Sequence, residues 1–312
     1  MGRSFVGKGV REQVLSSQTS EIDADSLMRA LLVPSPVGGV YARTGLFETV
    51  IEGLSFFISR HRDPGTEVFR FPPVMSRAQL ERSGYLHSFP HLLGSVSCLK
   101  GSEATIRAVV DQPDWVEKLS ATELVLSPAA CYPVYPMAAA RGPIPLGGLV
   151  FDVASDCFRH ESTSEIGRFQ SFRMREFVCL GTPQQVVDFR SRWLLLGQRL
   201  AKQLGLEHRI APASDPFFGR GGRLAAMSQL EQSLKFELLV AIRSEEEPTA
   251  CMSFNCHRDH FSAVWNLTTE NGDKAHTGCV AFGMDRLALA LFKTHGLDLK
   301  KWPAGVRKNL SI

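Results

Sequence analysis

The chain has 312 residues, 44% hydrophobic and 21% charged, with a formal net charge of +3. A chain of this size buries a sizeable core without disulfide or metal staples, and no apolar run approaches the ~18 residues of a membrane span. The weak positive charge lacks the dense basic stripe that marks a nucleic-acid binder.

Seven cysteines are scattered along the chain. Their odd number, and an N-terminus without the apolar centre of a signal peptide, argue against a disulfide framework. Both features lead us to expect a cytoplasmic protein.

In chain order, the first 40 residues are polar, with a short helix expected over Asp23 to Leu32 and an exposed linker through Pro34-Ser35-Pro36-Val37-Gly38-Gly39. From Thr44 to Arg60, Leu46, Phe47, Val50, Ile51, Leu54, Phe57 and Ile58 recur at helical spacing. Asp63-Pro64-Gly65 stops that helix, and Glu67 to Phe71 alternates as a strand ending at Pro72-Pro73. Strands are expected at Thr122–Leu126, Gly148–Val153 and Gln170–Leu180. Thr182, Pro183 and Gln185 then form a helix start with a capping box. The periodic run Val186–Leu204 stops at Gly205. A strand over Lys235–Ile242 and a buried helix over Met284–Thr294, closed by Gly296, complete the reading. The long connections and scarce βαβ alternation favour a mixed or antiparallel sheet.

Two constellations carry chemistry. The first is Phe158-Arg159-His160-Glu161, a polar loop, then Arg168-Phe169-Gln170-Ser171-Phe172-Arg173-Met174-Arg175-Glu176. It reads as a hairpin whose arginines can hold phosphates through bidentate hydrogen bonds, with an aromatic to stack on a purine. The bland alternative is a hairpin with surface arginines. The second runs from Gly278 to Ala290, where small residues form a strand that something packs against closely and Arg286 opens an apolar helix. A charge at a buried helix start needs a partner, either a nucleotide or a neighbouring carboxylate.

These stretches resemble motifs 2 and 3 of class II aminoacyl-tRNA synthetases, and Thr44–Arg60 with Pro72-Pro73 resembles motif 1, the dimerisation element. Thr66–Pro73, Leu204 to Gly219 and Lys235-Phe236-Glu237-Leu238 are most similar to seryl-tRNA synthetase. The resemblance covers about residues 40–295. It implies an α+β fold with a mostly antiparallel sheet flanked by helices. A catalytic domain over 41–312 would follow an N-terminal extension over 1–40.

The resemblance also implies site roles. Arg159 would hold the α-phosphate of ATP, Glu161 the adenine amino group and Arg168 the distal phosphates. Phe172 and Arg286 would sandwich the purine, while Phe169, Lys235 and Ala250, Cys251, Met252 and Ser253 would line the nucleotide site. Arg159 and Arg286 are the catalytic candidates. The resemblance further places Cys131, Glu176 and Cys279 each on a strand of the active-site sheet, as the zinc ligands of atypical seryl-type synthetases. Two thiolates and a carboxylate suit Zn²⁺ and leave a fourth position open for the substrate amine. A rival metal motif, Cys251-x4-Cys256-His257, overlaps the strand expected to touch ATP.

Only about 40 residues precede motif 1, too few for the family's tRNA-binding domain. The chain therefore looks like the stripped-core amino acid:[carrier protein] ligases of the glycine-activating type. These form an aminoacyl-adenylate and load the phosphopantetheine thiol of a carrier protein. Expected partners are a small amino acid, ATP with Mg²⁺, the carrier and a second copy of the chain, with no tRNA and no membrane. The Mg²⁺-holding Glu of seryl synthetases is replaced by Ala250, and Glu245-Glu246-Glu247 reads as a solvated turn. A compact seryl-type synthetase and a non-catalytic paralogue are the competing readings.

Overall fold

A computed structural model describes residues 23–161 and 166–312. Seven strands form the central sheet: β1 (Glu67–Arg70), β2 (Leu149–Phe158), β3 (Ser171–Gly181), β4 (Arg209–Pro212), β5 (Lys235–Val240), β6 (Thr249–Arg258) and β7 (His276–Gly283). Their order is β1-β2-β3-β7-β6-β5-β4. Only β1 against β2 is parallel; every other pairing is antiparallel.

Because side chains alternate across a sheet, β3 and β7 supply two cores. Phe177, Cys179, Val280 and Phe282 face one apolar cluster, while Val178, Leu180 and Cys279 face another. The first cluster is covered by helices α1 (Ala24–Leu31), α2 (Gly45–Ser59), α3 (Pro183–Gln203) and α5 (Met284–His295), with α4 being Gly219–Glu231. The second lies under the segment from Ala129 to Ala139 and the short helix His260–Trp265.

Helix α3 starts as its sequence indicates, with Thr182 and Gln185 exchanging capping bonds and Pro183 in the first turn. It stops at Gly205, whose φ of +69° is in the left-handed region. The close packing expected on the Gly278 strand is present: a Cβ at Gly278 would lie 2.7 Å from the Asn255 carbonyl and 2.8 Å from Val186 Cγ1. α3 thus sits directly on β7.

The first segment keeps its expected helix and exposed connection, with Pro36, Val37 and Gly38 exposed, but the connection is the turn of an antiparallel hairpin in which Leu32–Pro34 and Tyr41–Arg43 pair. Leu27, Leu31 and Leu32 are buried in the main core, so apolar burial rather than polar composition decides its placement. A second, three-stranded sheet joins Val74–Ser76, Leu119–Leu126 and Ser95–Leu99 beside the site. Among the described residues no helix is long and apolar enough to cross a membrane.

Candidate active site

The strand register assembles one end of the site. Cys279 pairs with Val178 and Ala281 with Glu176, so Glu176 and Cys279 are diagonal neighbours on one face of the sheet. Asn255 stands directly opposite Cys279 on the other side. Cys131 arrives from outside the sheet. It lies in the turn before the helix Val134–Ala139, not on a strand as expected, because Pro133 and the apolar residues after it pack that turn over the sheet.

All three side chains are buried. The Cys131 amide donates to Glu176 Oε1 at 2.9 Å, and the Cys131 thiol has Cys279, Tyr135 and Glu176 as its polar neighbours. Cys279 lowers the Cys131 pKa, but burial and the Glu176 charge outweigh it and the thiol is raised. Cys131, with burial, pushes the Cys279 thiol well above its ordinary value. Burial raises the Glu176 carboxyl against the opposing pull of Cys279 and Cys131.

Asn255 Nδ2 donates to Cys279 Sγ at 3.3 Å, and His257 Nε2 lies 3.7 Å from the same sulfur. His257 Nδ1 faces two hydroxyls, Tyr135 at 3.4 Å and Thr277 at 3.1 Å. Burial pulls the imidazole down to about 4, so it is neutral. A neutral imidazole carries one ring proton, so it donates on one side, to a hydroxyl or to Cys279, and accepts on the other.

Two sulfurs and a carboxylate are the donor chemistry that zinc takes. Here all three are buried together, with the Cys131 amide bonded to Glu176. Among the described residues no group of three or more His, Cys, Asp or Glu side chains is spaced as a ready-made metal cage. The donor set fits zinc in kind and in burial, and a bound cation would reverse the upward push on the thiols. The rival Cys251, Cys256 and His257 motif fits worse. Both cysteines pack into the main apolar core, and the nitrogens of His257 face Tyr135, Thr277 and Cys279.

The other end of the site is cationic. Arg159 follows directly on β2, donates from Nε to the Pro128 carbonyl at 3.0 Å, and lies over the Phe172 ring at 5.4 Å. Arg168 and Glu161 form an ion pair at 2.8 Å. Arg286 donates to the carbonyls of Gly167 at 2.9 Å and Ala250 at 3.0 Å. Phe169 is buried and packs on Tyr41 at 5.2 Å, so its ring belongs to the protein interior while it borders the hollow. Lys235 binds Asp215 at 2.6 Å and Glu237 at 3.1 Å. Burial lowers its pKa, but the Asp215 and Glu237 charges overcome this and hold it raised.

One cavity of about 470 Å³ joins the two ends. Cys131, Glu176 and Cys279 line it, and so do Arg159, Lys235, Arg286 and Ala250 through Ser253. A smaller hollow of about 70 Å³ adjoins it, lined by Glu161, Arg168, Phe169, Phe172 and Asp285 with both arginines. Sequence reasoning gave no site role to Asp215, Glu237, Asn255 and Tyr135, and read His257 only as part of the rival metal motif. The alternation of β6 could have indicated Asn255; Asp215 lies on a connection, and Tyr135 on a six-residue helix too short to carry a periodic signal.

The comparisons follow this geometry. No family model matches the chain. It is 61% identical over 278 residues to amino acid--[acyl-carrier-protein] ligase 1 of Bradyrhizobium diazoefficiens, covering 88% of this chain and 85% of that protein. Ligase 2 of the same organism is 58% identical over 292 residues, covering 92% and 87%. The seryl-tRNA synthetase of Methanopyrus kandleri, solved in complex with tRNASec of A. aeolicus, superposes with a TM-score of 0.78 at 24% identity, over 93% of this chain and 60% of that one. That likeness shows the fold, a class II synthetase-like core. The identity to the two ligases, spread over most of each chain, shows the family: this chain belongs to the amino acid--[acyl-carrier-protein] ligases.

Proposed function

We propose that this protein uses ATP to activate a small amino acid, glycine first among them, as its adenylate, and transfers the aminoacyl group to the phosphopantetheine thiol of a carrier protein. The observation that carries this reading is the single cavity joining an arginine-and-lysine end to a thiol-and-carboxylate end. A bent ATP at the first end and an amino acid at the second would meet at the α-phosphorus.

Phe172 and Arg286 take the purine between them, and Glu161 accepts from its amino group. Arg159 holds the α-phosphate. Arg168 releases Glu161 to meet the distal phosphates, which arrive with Mg²⁺, while Lys235 and the Ala250–Ser253 strand line the nucleotide. Cys131, Glu176 and Cys279 would hold zinc, and zinc would supply a Lewis-acid anchor for the amino group.

The amino acid carboxylate is already ionised, so no general base is needed for the first step. Its oxygen forms a bond to the α-phosphorus, the bond to the bridging oxygen breaks, and pyrophosphate leaves. Arg159 neutralises the charge that builds on the phosphorus oxygens, and the cavity walls fix the in-line approach. In the second step the carrier thiolate attacks the adenylate carbonyl, a thioester forms and AMP leaves.

Helix α4 supports the carrier half of the reading. None of its residues is buried, and Leu224 is 67% exposed. Ala225 and Ser228 line the cavity from this helix. Arg220 and Arg223 beside exposed Leu224 and Met227 suit an acidic carrier by charge and contact. The test offers radiolabelled glycine, alanine and serine together with either phosphopantetheinylated carrier protein or tRNA. Thioester-linked label on the carrier supports the reading; label on tRNA alone, or on neither, contradicts it.

A further inference from the structure

The β3–β7 ladder ends at Met174 opposite Gly283. Beyond that point Ser171, Phe172 and Arg173 still pair with β2 on one side but have no strand on the other. A row of unpaired backbone groups in a part-buried place needs partners. Side chains supply them. Arg173 N donates to Asp285 Oδ2 at 2.6 Å, and Arg43 donates to the Ser171 carbonyl at 3.1 Å. Arg43 Nε in turn donates to Asp285 Oδ1 at 2.9 Å. The peptide groups before and after Phe172 are therefore held by one part-buried ion pair.

Asp285 is 2% exposed and takes a second guanidinium, from Arg173 at 2.9 Å. Arg173 reaches on to Glu48 of helix α2 at 2.6 Å. Two carboxylates and two guanidiniums balance, so the cluster is neutral in sum. Such a network holds its members in fixed geometry when every member is satisfied. Asp285 also lies in the first turn of α5, where a negative charge suits the helix, and Arg286 follows it in the chain.

We propose that Asp285 and Arg43 are positioning residues for the nucleotide, setting the separation between Phe172 and Arg286 and hence the width of the purine slot. The inference rests on the placement of the purine in the proposed function. One side of the slot hangs on the backbone that the ion pair holds, and the other is the residue next to Asp285. Neither Asp285 nor Arg43 needs to touch ATP for this role.

The test is steady-state ATP–pyrophosphate exchange with Arg43→Gln and Asp285→Asn. Asp285→Asn leaves two guanidiniums facing a neutral amide in the interior and so risks the fold; Arg43 is nearer the surface, and Arg43→Gln keeps the test available. Each variant should raise the KM for ATP about tenfold, with the KM for pyrophosphate and for the amino acid within about twofold of wild type. A structural role alone would lower the amount of active enzyme and leave that ratio of constants untouched, which would overturn the inference. Phe172→Ala and Arg286→Ala serve as references. If they raise the KM for ATP while Arg43→Gln does not, the inference fails alone. If none of the variants raises it, the purine placement fails and takes the inference with it.

Discussion

The two ends of the cavity differ in depth and in chemistry: Arg159, Arg168 and Arg286 are half-buried at one, and Cys131, Glu176 and Cys279 are buried at the other. At the nucleotide end the cations already have protein partners: Arg168 has Glu161, Lys235 has Asp215 and Glu237, and Arg159 and Arg286 bind backbone carbonyls. An anion enters there by exchanging partners. At the other end the Cys131 amide binds Glu176, and Asn255 and His257 meet the Cys279 sulfur; the surroundings of all three groups, burial among them, push them toward their protonated forms. That end is suited to a ligand that brings positive charge. The contrast is what supports the proposal of phosphate at one end and an amine or metal at the other.

The largest expected effect breaks the nucleotide end. Arg159→Ala should lower ATP–pyrophosphate exchange about a thousandfold, the scale of removing a donor that meets charge developing in a transition state. Exchange near the wild-type rate would show that the α-phosphate lies elsewhere.

The reverse face of β3 sharpens the contrast, because its charges are complete as they stand. Arg175 and Asp152 are buried and paired, with Arg62 and Arg70 on the same carboxylate. Asp152→Asn should cost about 3 kcal/mol of stability, as expected when one member of a buried pair is removed. Denaturant unfolding would measure it. Burial alone would raise the Asp152 pKa, but the Arg175 hydrogen bond and charge, then Arg70 and Arg62, hold it below its ordinary value. Its contribution is therefore full above the unfolded aspartate value near ~4 and disappears as pH falls through the lower folded value. The gap between wild type and Asp152→Asn should narrow as pH falls below the unfolded aspartate value; a gap that widens in acid would contradict this assignment.

The thiol end breaks differently. Cys279→Ser should lower amino-acid-dependent exchange about a hundredfold and reduce bound zinc below about one per chain. Equilibrium ATP binding should stay within about twofold. Full activity in a chelated, metal-free preparation would remove zinc from the account. The smallest effect is outside the cavity: Arg220→Glu with Arg223→Glu should raise the KM for carrier about tenfold and leave exchange unchanged. An unchanged carrier KM would move docking away from α4.

Much of this contrast was legible in the sequence where periodicity or punctuation carries it. Thr182, Pro183 and Gln185 gave the start of α3, and the apolar spacing after Thr44 gave α2, because local capping and burial of one face act on neighbouring residues. The hairpin that carries Arg159 and Phe172 was readable for the same reason. Long-range placement was not. Cys131 reaches Glu176 from a turn 45 residues away, and nothing local in that turn reports its destination. The hairpin at Leu32–Arg43 looked like a linker because its polar Pro-Gly composition hides the apolar residues that anchor it. Arg43 and Asp285, 242 residues apart, are paired only through the fold.

A crystal structure with a non-hydrolysable glycyl-adenylate, phased to locate metals by anomalous scattering, tests the polarity of the cavity most directly. The account predicts the purine between Phe172 and Arg286, and the glycyl amine directed at a metal among Cys131, Glu176 and Cys279. A purine lying over the two cysteines, or an amine pointing away from them toward Lys235, would contradict it.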